Sequence, residues 1–260
     1  MHDLIAKHGL TEMAQQIVDV SRPCIVGATH DGPVALGASK AGGQPHTPDS
    51  FQWPFFRDTP LEFVAQVNCS EANAPELPDH GLLLFFYDNR HGGYSLKEEG
   101  FIRVFYSETL KGLRETPPPQ IRKPRLWGLL GTAVLPVTYR ETALTFQPAA
   151  SLPDPERNLV PLDDDGIFEA YCEIKAELQD DRFIQIGGFP NPVQSDDMQP
   201  AIAGMTGRGA PEDWVMILEV YNDARTDMMW GDDGRIHYFC HQADLDRRDF
   251  SRCWMQMQCG

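Results

Sequence analysis

Apolar positions along this chain follow two kinds of pattern. Over residues 2–20 they recur at helical spacing, with Leu4, Ile5, Met13 and Ile17 followed by Val18 and Val20, which predicts an N-terminal amphipathic helix over about 2–20. IFEAYCEIKAEL (167–178) reads as helix and ADLDRRDF (243–250) as a short one. Elsewhere apolar residues alternate or run unbroken over four to eight positions. On that basis FVAQVN (63–68), LLLFF (82–86), FIRVFY (101–106), AVLPVTY (133–139), TALTF (142–146), MILEVYN (216–222), RIHYF (235–239) and CWMQMQ (253–258) are strands. TPPPQIRKP (116–124) and PAASLPDPERNLVPL (148–162) are read as extended connectors, because proline neither continues a helix nor donates to a ladder. Strands outnumber helices and do not alternate with them, so the expected class is α+β in one compact domain over 1–260, neither Rossmann fold nor barrel.

The chain also resembles itself. GGQP (42–45), FVAQVN (63–68) and LPDHGLLLFF (77–86) are followed later by GGFP (187–190), MILEVYN (216–222) and WGDDGRIHYF (230–239). Gln66 to Gly81 is 15 residues, and so is Glu219 to Gly234. From Gly43 to Gln66 is 23 residues but from Gly188 to Glu219 is 31, and the eight extra residues are assigned to a loop within QSDDMQPAIAGMTGRGAPED. An internal duplication of two intertwined β-rich repeats follows, one about 21–115 and the other about 165–260, with a few peripheral helices. The shared turn positions are Gly42, Gly43, Pro45, Asp79 and Gly81 in the first copy and Gly187, Gly188, Pro190, Gly231 and Gly234 in the second. Glycine accepts φ > 0 without steric cost, and aspartate bonds to nearby backbone N–H groups. Leu83, Phe85 and Tyr87 correspond to Ile236, Tyr238 and Cys240 on the expected core face. The opposite face holds Leu82, Leu84 and Phe86 in one copy but Arg235, His237 and Phe239 in the other, so the second strand is expected to be partly exposed.

Composition narrows the function classes. The 38 acidic and 22 basic residues give a net charge of −16, which repels phosphate backbones and anionic membranes and disfavours nucleic acid as a partner. No window reaches the roughly twenty apolar residues of a membrane span, and the N-terminus lacks a signal-like run, so a cytoplasmic location is expected. Six cysteines without a CxxC pair read as reduced, packed thiols.

Candidate chemistry is sparse. Asp232, Asp233, His237, Cys240 and His241 cluster in sequence, but on a strand His237 and His241 point to one side and Cys240 to the other, so no metal site and no cofactor are assigned. The runs Asp163–Asp165 and Asp196–Asp197 read as solvated loops, and no GxSxG or phosphate-binding glycine loop is present. Trp53, Gln66, Asn191, Gln194, Trp230 and Asp232 are the candidate binding residues, since indoles supply apolar area and amides directional hydrogen bonds beside the repeated turns.

SKAGGQPHTPDSFQWP (39–54), LEFVAQVN (61–68), LPDHGLLLFFYD (77–88), IGGFPNPVQ (186–194), MMWGDDGRIHYF (228–239) and DFSRCWMQMQC (249–259) together resemble the YwqG-like family, a bacterial domain of unknown function. The resemblance spans nearly the whole chain and implies a cytoplasmic bacterial protein of two intertwined repeats. It brings no catalytic residues. The expectation is therefore an uncharacterised, non-catalytic module that binds a protein or small ligand, a basic partner protein in particular. The alternative is a small enzyme with an acidic site around Asp232 and His237. Oligomeric state is not legible.

Overall fold

The structure, a computed structural model, describes residues 1–90, 100–123, 132–134 and 137–260. Its frame is one ten-stranded antiparallel sheet. In chain order the strands are β1 (Arg22–His30), β2 (Lys40–Ala41), β3 (Glu62–Asn68), β4 (Leu82–Tyr87), β5 (Ile102–Ser107), β6 (Thr142–Ser151), β7 (Ile184–Ile186), β8 (Trp214–Tyr221), β9 (Arg235–His241) and β10 (Trp254–Gln258). Their spatial order is β10-β9-β8-β7-β1-β6-β2-β3-β4-β5. The central pair, β1 with β6, matches Arg22 to Ser151 through His30 to Ala143. From it, each wing runs outward in chain order.

The two wings share a register. Gln66 faces Leu84 and Asn68 faces Leu82, while Glu219 faces His237 and Tyr221 faces Arg235, each pair displaced by 153 positions. Each ladder breaks at the corresponding point, between Phe63 and Ala65 and between Met216 and Leu218, where a β-bulge bends the strand. Were the sheet flat, β4 and β9, seven strands apart, would be separated by roughly 34 Å. Yet the rings of Phe85 and Tyr238 lie 5.1 Å apart, and the Tyr238 hydroxyl reaches the Phe86 carbonyl. The sheet therefore curls until its wings face each other across a common core, with Trp230 against both Tyr87 and Tyr139 at its centre.

The helices are α1 (His2–Lys7), α2 (Ala14–Val20), α3 (Cys69–Ala72), α4 (Asp165–Glu177), α5 (Met198–Thr206) and α6 (Gln242–Leu245). No helix among the described residues is long and apolar enough to cross a membrane. The N-terminal segment is not one helix but two. Gly9 at φ 76° and a 3-10 turn at Thr11–Met13 separate α1 from α2, so that Ile5, Leu10 and Ile17 all reach a second core against Tyr171 and Ile174 of α4. The connector expected over 148–162 begins as strand: β6 runs to Ser151, and its Pro148 lies opposite Ile25. Past Leu144, whose N–H donates to the Ser39 carbonyl, the other edge of β6 pairs with no strand among the described residues, so the missing N–H of Pro148 breaks no ladder bond there. Of the strand expected over 133–139, Thr132–Val134 pairs with Ile121–Lys123, and residues 135–136 lie outside the described residues.

Three further expectations change. The segment to which the eight extra residues were assigned holds a helix, α5, in place of a loop, and Met198, Ile202 and Ala203 pack on Trp214, Met216 and Phe239. That cover buries Phe239, and Glu219 and the Asn191 carbonyl enclose His237, so β9, expected to be partly exposed, is buried from Ile236 to Cys240. The D-x-G turns also differ in conformation. Gly81 adopts φ 95°, but in the second turn the left-handed residues are Gly231 and Asp233, and Gly234 is not among them. Gly234 is required for another reason, since a Cβ there would lie 1.8 Å from the Trp230 carbonyl and 2.7 Å from that of Gln258. Gly234→Ala is therefore expected to destabilise by about 3 kcal/mol in equilibrium denaturation, as overpacking against backbone does, whereas Asp232→Asn, on an exposed side chain, should leave the midpoint unchanged.

Candidate functional site

Each GGxP turn places two consecutive glycines in the left-handed region, at φ 61° and 70° for Gly42 and Gly43 and at 70° and 72° for Gly187 and Gly188. Any Cβ would collide with the chain packed above, the Arg140 carbonyl at 2.4 Å from Gly42 being the clearest case. So tight a loop turns carbonyl groups inward, and a buried side chain from the preceding strand must satisfy them. In the first turn this is Lys40, wholly buried, whose Nζ donates to the Gln44 carbonyl and to Glu141 Oε2, both at 2.6 Å. In the second it is Gln185, also wholly buried, whose Nε2 donates to the carbonyls of Phe189 at 2.8 Å and Gly187 at 3.0 Å.

A second polar side chain, from β3 or β8, fixes the residue after each proline. Gln66 Oε1 accepts from the His46 N–H at 2.9 Å, and its Nε2 donates to the Ala38 carbonyl and meets His46 Nδ1. That imidazole also accepts from the Gly37 N–H. Burial, reinforced by the Lys40 charge, lowers its pKa to about 4, so His46 stays neutral as an acceptor. In the second wing Glu219 Oε2 accepts from Asn191 Nδ2 at 3.1 Å, and Glu219 Oε1 faces His237 Nε2 at 3.3 Å. Asn191 Nδ2 also points at the Tyr221 hydroxyl, 2.8 Å away, whose ionisation burial suppresses.

The second cluster opens toward a cavity. Asn191 Oδ1 accepts from Gln179 at 2.7 Å, and its carbonyl accepts from Arg235, whose guanidinium stacks 4.7 Å from the Tyr221 ring. Gln179 and Arg235 form part of the wall of an open cleft of about 760 Å³ between α4 and the segment 154–163. Lys175, paired with Asp154 at 2.8 Å, lines it with Cys172, Glu156 and Asp163. Burial raises the Cys172 pKa, which keeps the thiol protonated and poorly nucleophilic. The cleft thus offers carboxylates, amides and an apolar rim that includes Phe168, a surface suited to recognition.

The candidate binding residues are scattered. Trp53 covers Phe86 on the outer face of β4 and donates to the Leu61 carbonyl, and Trp230 is sealed in the core with its Nε1 on the Tyr221 carbonyl. Gln66 and Asn191 are spent on the turns, and Gln194, exposed, donates to the Cys259 carbonyl. Asp232 faces solvent while His237 is fully enclosed, so the two are not brought together. His241 caps α6 through Nδ1. Among the described residues no three His, Cys, Asp or Glu side chains form a metal-binding group, and all six cysteines are free thiols. Burial pushes Cys24 up to about 11 and Cys69 up to about 12. The sequence reading overlooked Arg235 and Gln179. The signal for Arg235 was its place beside the repeated turn, directly opposite Tyr221.

With this geometry in view, comparison with known proteins adds one finding: a domain of unknown function, DUF1963, matches residues 39–259. No curated protein matches the chain. The neutral state of His46 carries a pH signature. Its folded pKa near 4 lies below the ordinary 6.5, so the unfolded chain takes up the proton first, and stability present above pH 6.5 is lost as pH falls toward 4. In urea titrations the wild type should lose stability across that window more steeply than His46→Gln, and parallel profiles would show that His46 is not the cause.

Proposed function

The chain belongs to the DUF1963 family, and we propose that it is a non-catalytic binding module that takes a basic partner protein on the acidic face around α4 and its cleft. One observation carries this reading. Residues 151–200, which border the cleft, hold twelve acidic and three basic residues, a net of −9 out of the chain's −16. The charge is concentrated, and a concentrated field raises the local density of cationic partners and steers their approach. Asp163, Asp165, Glu169 and Glu173 are exposed along this face. The enzyme alternative around Asp232 and His237 draws no support from their placement, since one is solvated and the other sealed.

Two finer assignments accompany the proposal. The six motifs favour YwqG-like proteins as the branch of the family, with a cytoplasmic setting. Descent from a duplicated half-unit is supported by the common register, by the corresponding bulges and by the near-identical φ angles of the paired glycines. On this reading the second unit starts with β6 and not near residue 165, because β6 stands to β2 as β1 stands to β7.

A lysine-rich peptide titrated calorimetrically tests the binding reading. Affinity should fall about tenfold or more between 50 and 300 mM salt, and the double variant Asp163→Asn, Glu169→Gln should weaken binding at low salt with the melting temperature unchanged. Salt-insensitive binding, or none at all, would sink it.

A further inference from the structure

A second cleft carries a charge of opposite sign. Among the described residues β5 and β10 are the edge strands of the sheet, and the chain from α6 to β10 makes contacts between them. Tyr106 packs on Phe250 there, and Arg103 NH1 of β5 donates to the Ser251 carbonyl at 3.3 Å. At this seam lies a cleft of about 500 Å³. Its described lining includes Arg103, Arg208 and Arg252 and no carboxylate, in a chain whose acidic residues outnumber its basic ones by 38 to 22.

Behind that lining the charges do not balance. Asp244, with no exposed side-chain surface, accepts from Arg208 at 2.7 Å and from Arg247 and Arg252 at 2.6 Å each. One carboxylate is shared by three guanidiniums; Asp249, held close to Arg252 and Arg247, offsets a second charge and leaves an excess of one. A purely structural role for Asp244, locking the turn after α6, accounts for Arg247 and for one face of Arg208 and Arg252. It does not account for Arg103, which comes from the other edge of the sheet and adds a further guanidinium on the cleft side. The rest of the lining includes Trp254, Trp214, Phe101 and Met205, the last 41% exposed, beside Thr206 and Ser251. The Arg208 guanidinium lies 5.7 Å from the Trp214 ring centroid, which limits its freedom.

We propose that this seam cleft binds a small oxyanion, a phosphate monoester or a carboxylate, carried on an apolar or aromatic body. Guanidinium groups match the planar, two-oxygen geometry of both anions, and fixing them on Asp244 reduces the ordering cost of binding. The apolar body lies along Trp254 and Met205. A net charge of −16 repels polyanions at long range, so nucleic acid is not the occupant, whereas a small anion is held by short-range bonds. The site is independent of the acidic face.

Calorimetric titration of the full chain at low salt with phenyl phosphate, benzoate and inorganic phosphate tests this. At least one of the aromatic anions should bind at a single site about tenfold or more tighter than inorganic phosphate. The better of phenyl phosphate and benzoate identifies the anion. Arg103→Gln, which spares Asp244, should weaken that binding about tenfold or more. Arg140→Gln, on an exposed arginine paired with Asp227, should leave it unchanged, and the lysine-rich peptide should bind Arg103→Gln as it binds the wild type. The proposal is overturned if neither aromatic anion binds the folded protein in the millimolar range, if inorganic phosphate binds equally well, or if the two arginine variants behave alike.

Discussion

The antiparallel pairing of Arg22–His30 with Thr142–Ser151 is the interaction on which the remaining structure depends. Each of these strands also pairs with the second strand of the opposite wing, Gly27 with Ile184 and Thr142 with Ala41. Neither wing therefore completes its own hydrogen bonding. Separating the halves would expose two strand edges along with the Phe85–Tyr238 and Tyr87–Trp230 contacts that the curl creates. The two wings thus share their strand pairing, and the first strand of the chain cannot be removed without unpairing the centre of the sheet. That strand precedes the matched family region, which begins at residue 39, although it is structurally the middle of the sheet.

The same constraint places the polar side chains. A GGxP turn closes each short strand beside the central pair, and two left-handed glycines expose carbonyls to a dry interior. Lys40 and Gln185 solve one problem with different chemistry, an ammonium braced by Glu141 in one wing and an amide in the other. Gln66 and Glu219 likewise hold His46 and Asn191. Buried groups of this type are costly when unpaired and specific when paired, which accounts for their presence without any reaction. Two concentrations of charge lie apart from these turns: the carboxylates around α4 and the arginines at the seam.

How much of this was legible in the sequence follows from how local each signal is. The glycine turns, the 15-residue spacing and the β3–β4 and β8–β9 strands were readable because turn chemistry and period-two patterning act within a few residues. β1 was missed because its middle, Cys24 to Val26, is buried on consecutive positions, so alternation is absent and a leading Pro23 disguises it. Helix α5 was hidden by Pro200 and Gly204, although Met198 and Ile202 at i and i+4 marked its buried face. His237 was read as exposed because its partner, Glu219, sits on another strand, and no local pattern reports a long-range pair. Both clefts assemble from four or more separate segments, beyond the reach of spacing.

Charge segregation links these points. A protein of net charge −16 pays for its solubility with self-repulsion, and an even spread would minimise that cost. Here the distribution is uneven in both directions: residues 151–200 carry −9, while three arginines converge on one buried carboxylate beside a fourth from another strand. Neither concentration is needed to pack the core, which is closed by apolar and aromatic contacts elsewhere. Holding like charges together is unfavourable in the unbound protein, and a ligand of the opposite sign removes that penalty. Two such concentrations on one curled sheet are the features of this surface on which the proposed binding roles rest.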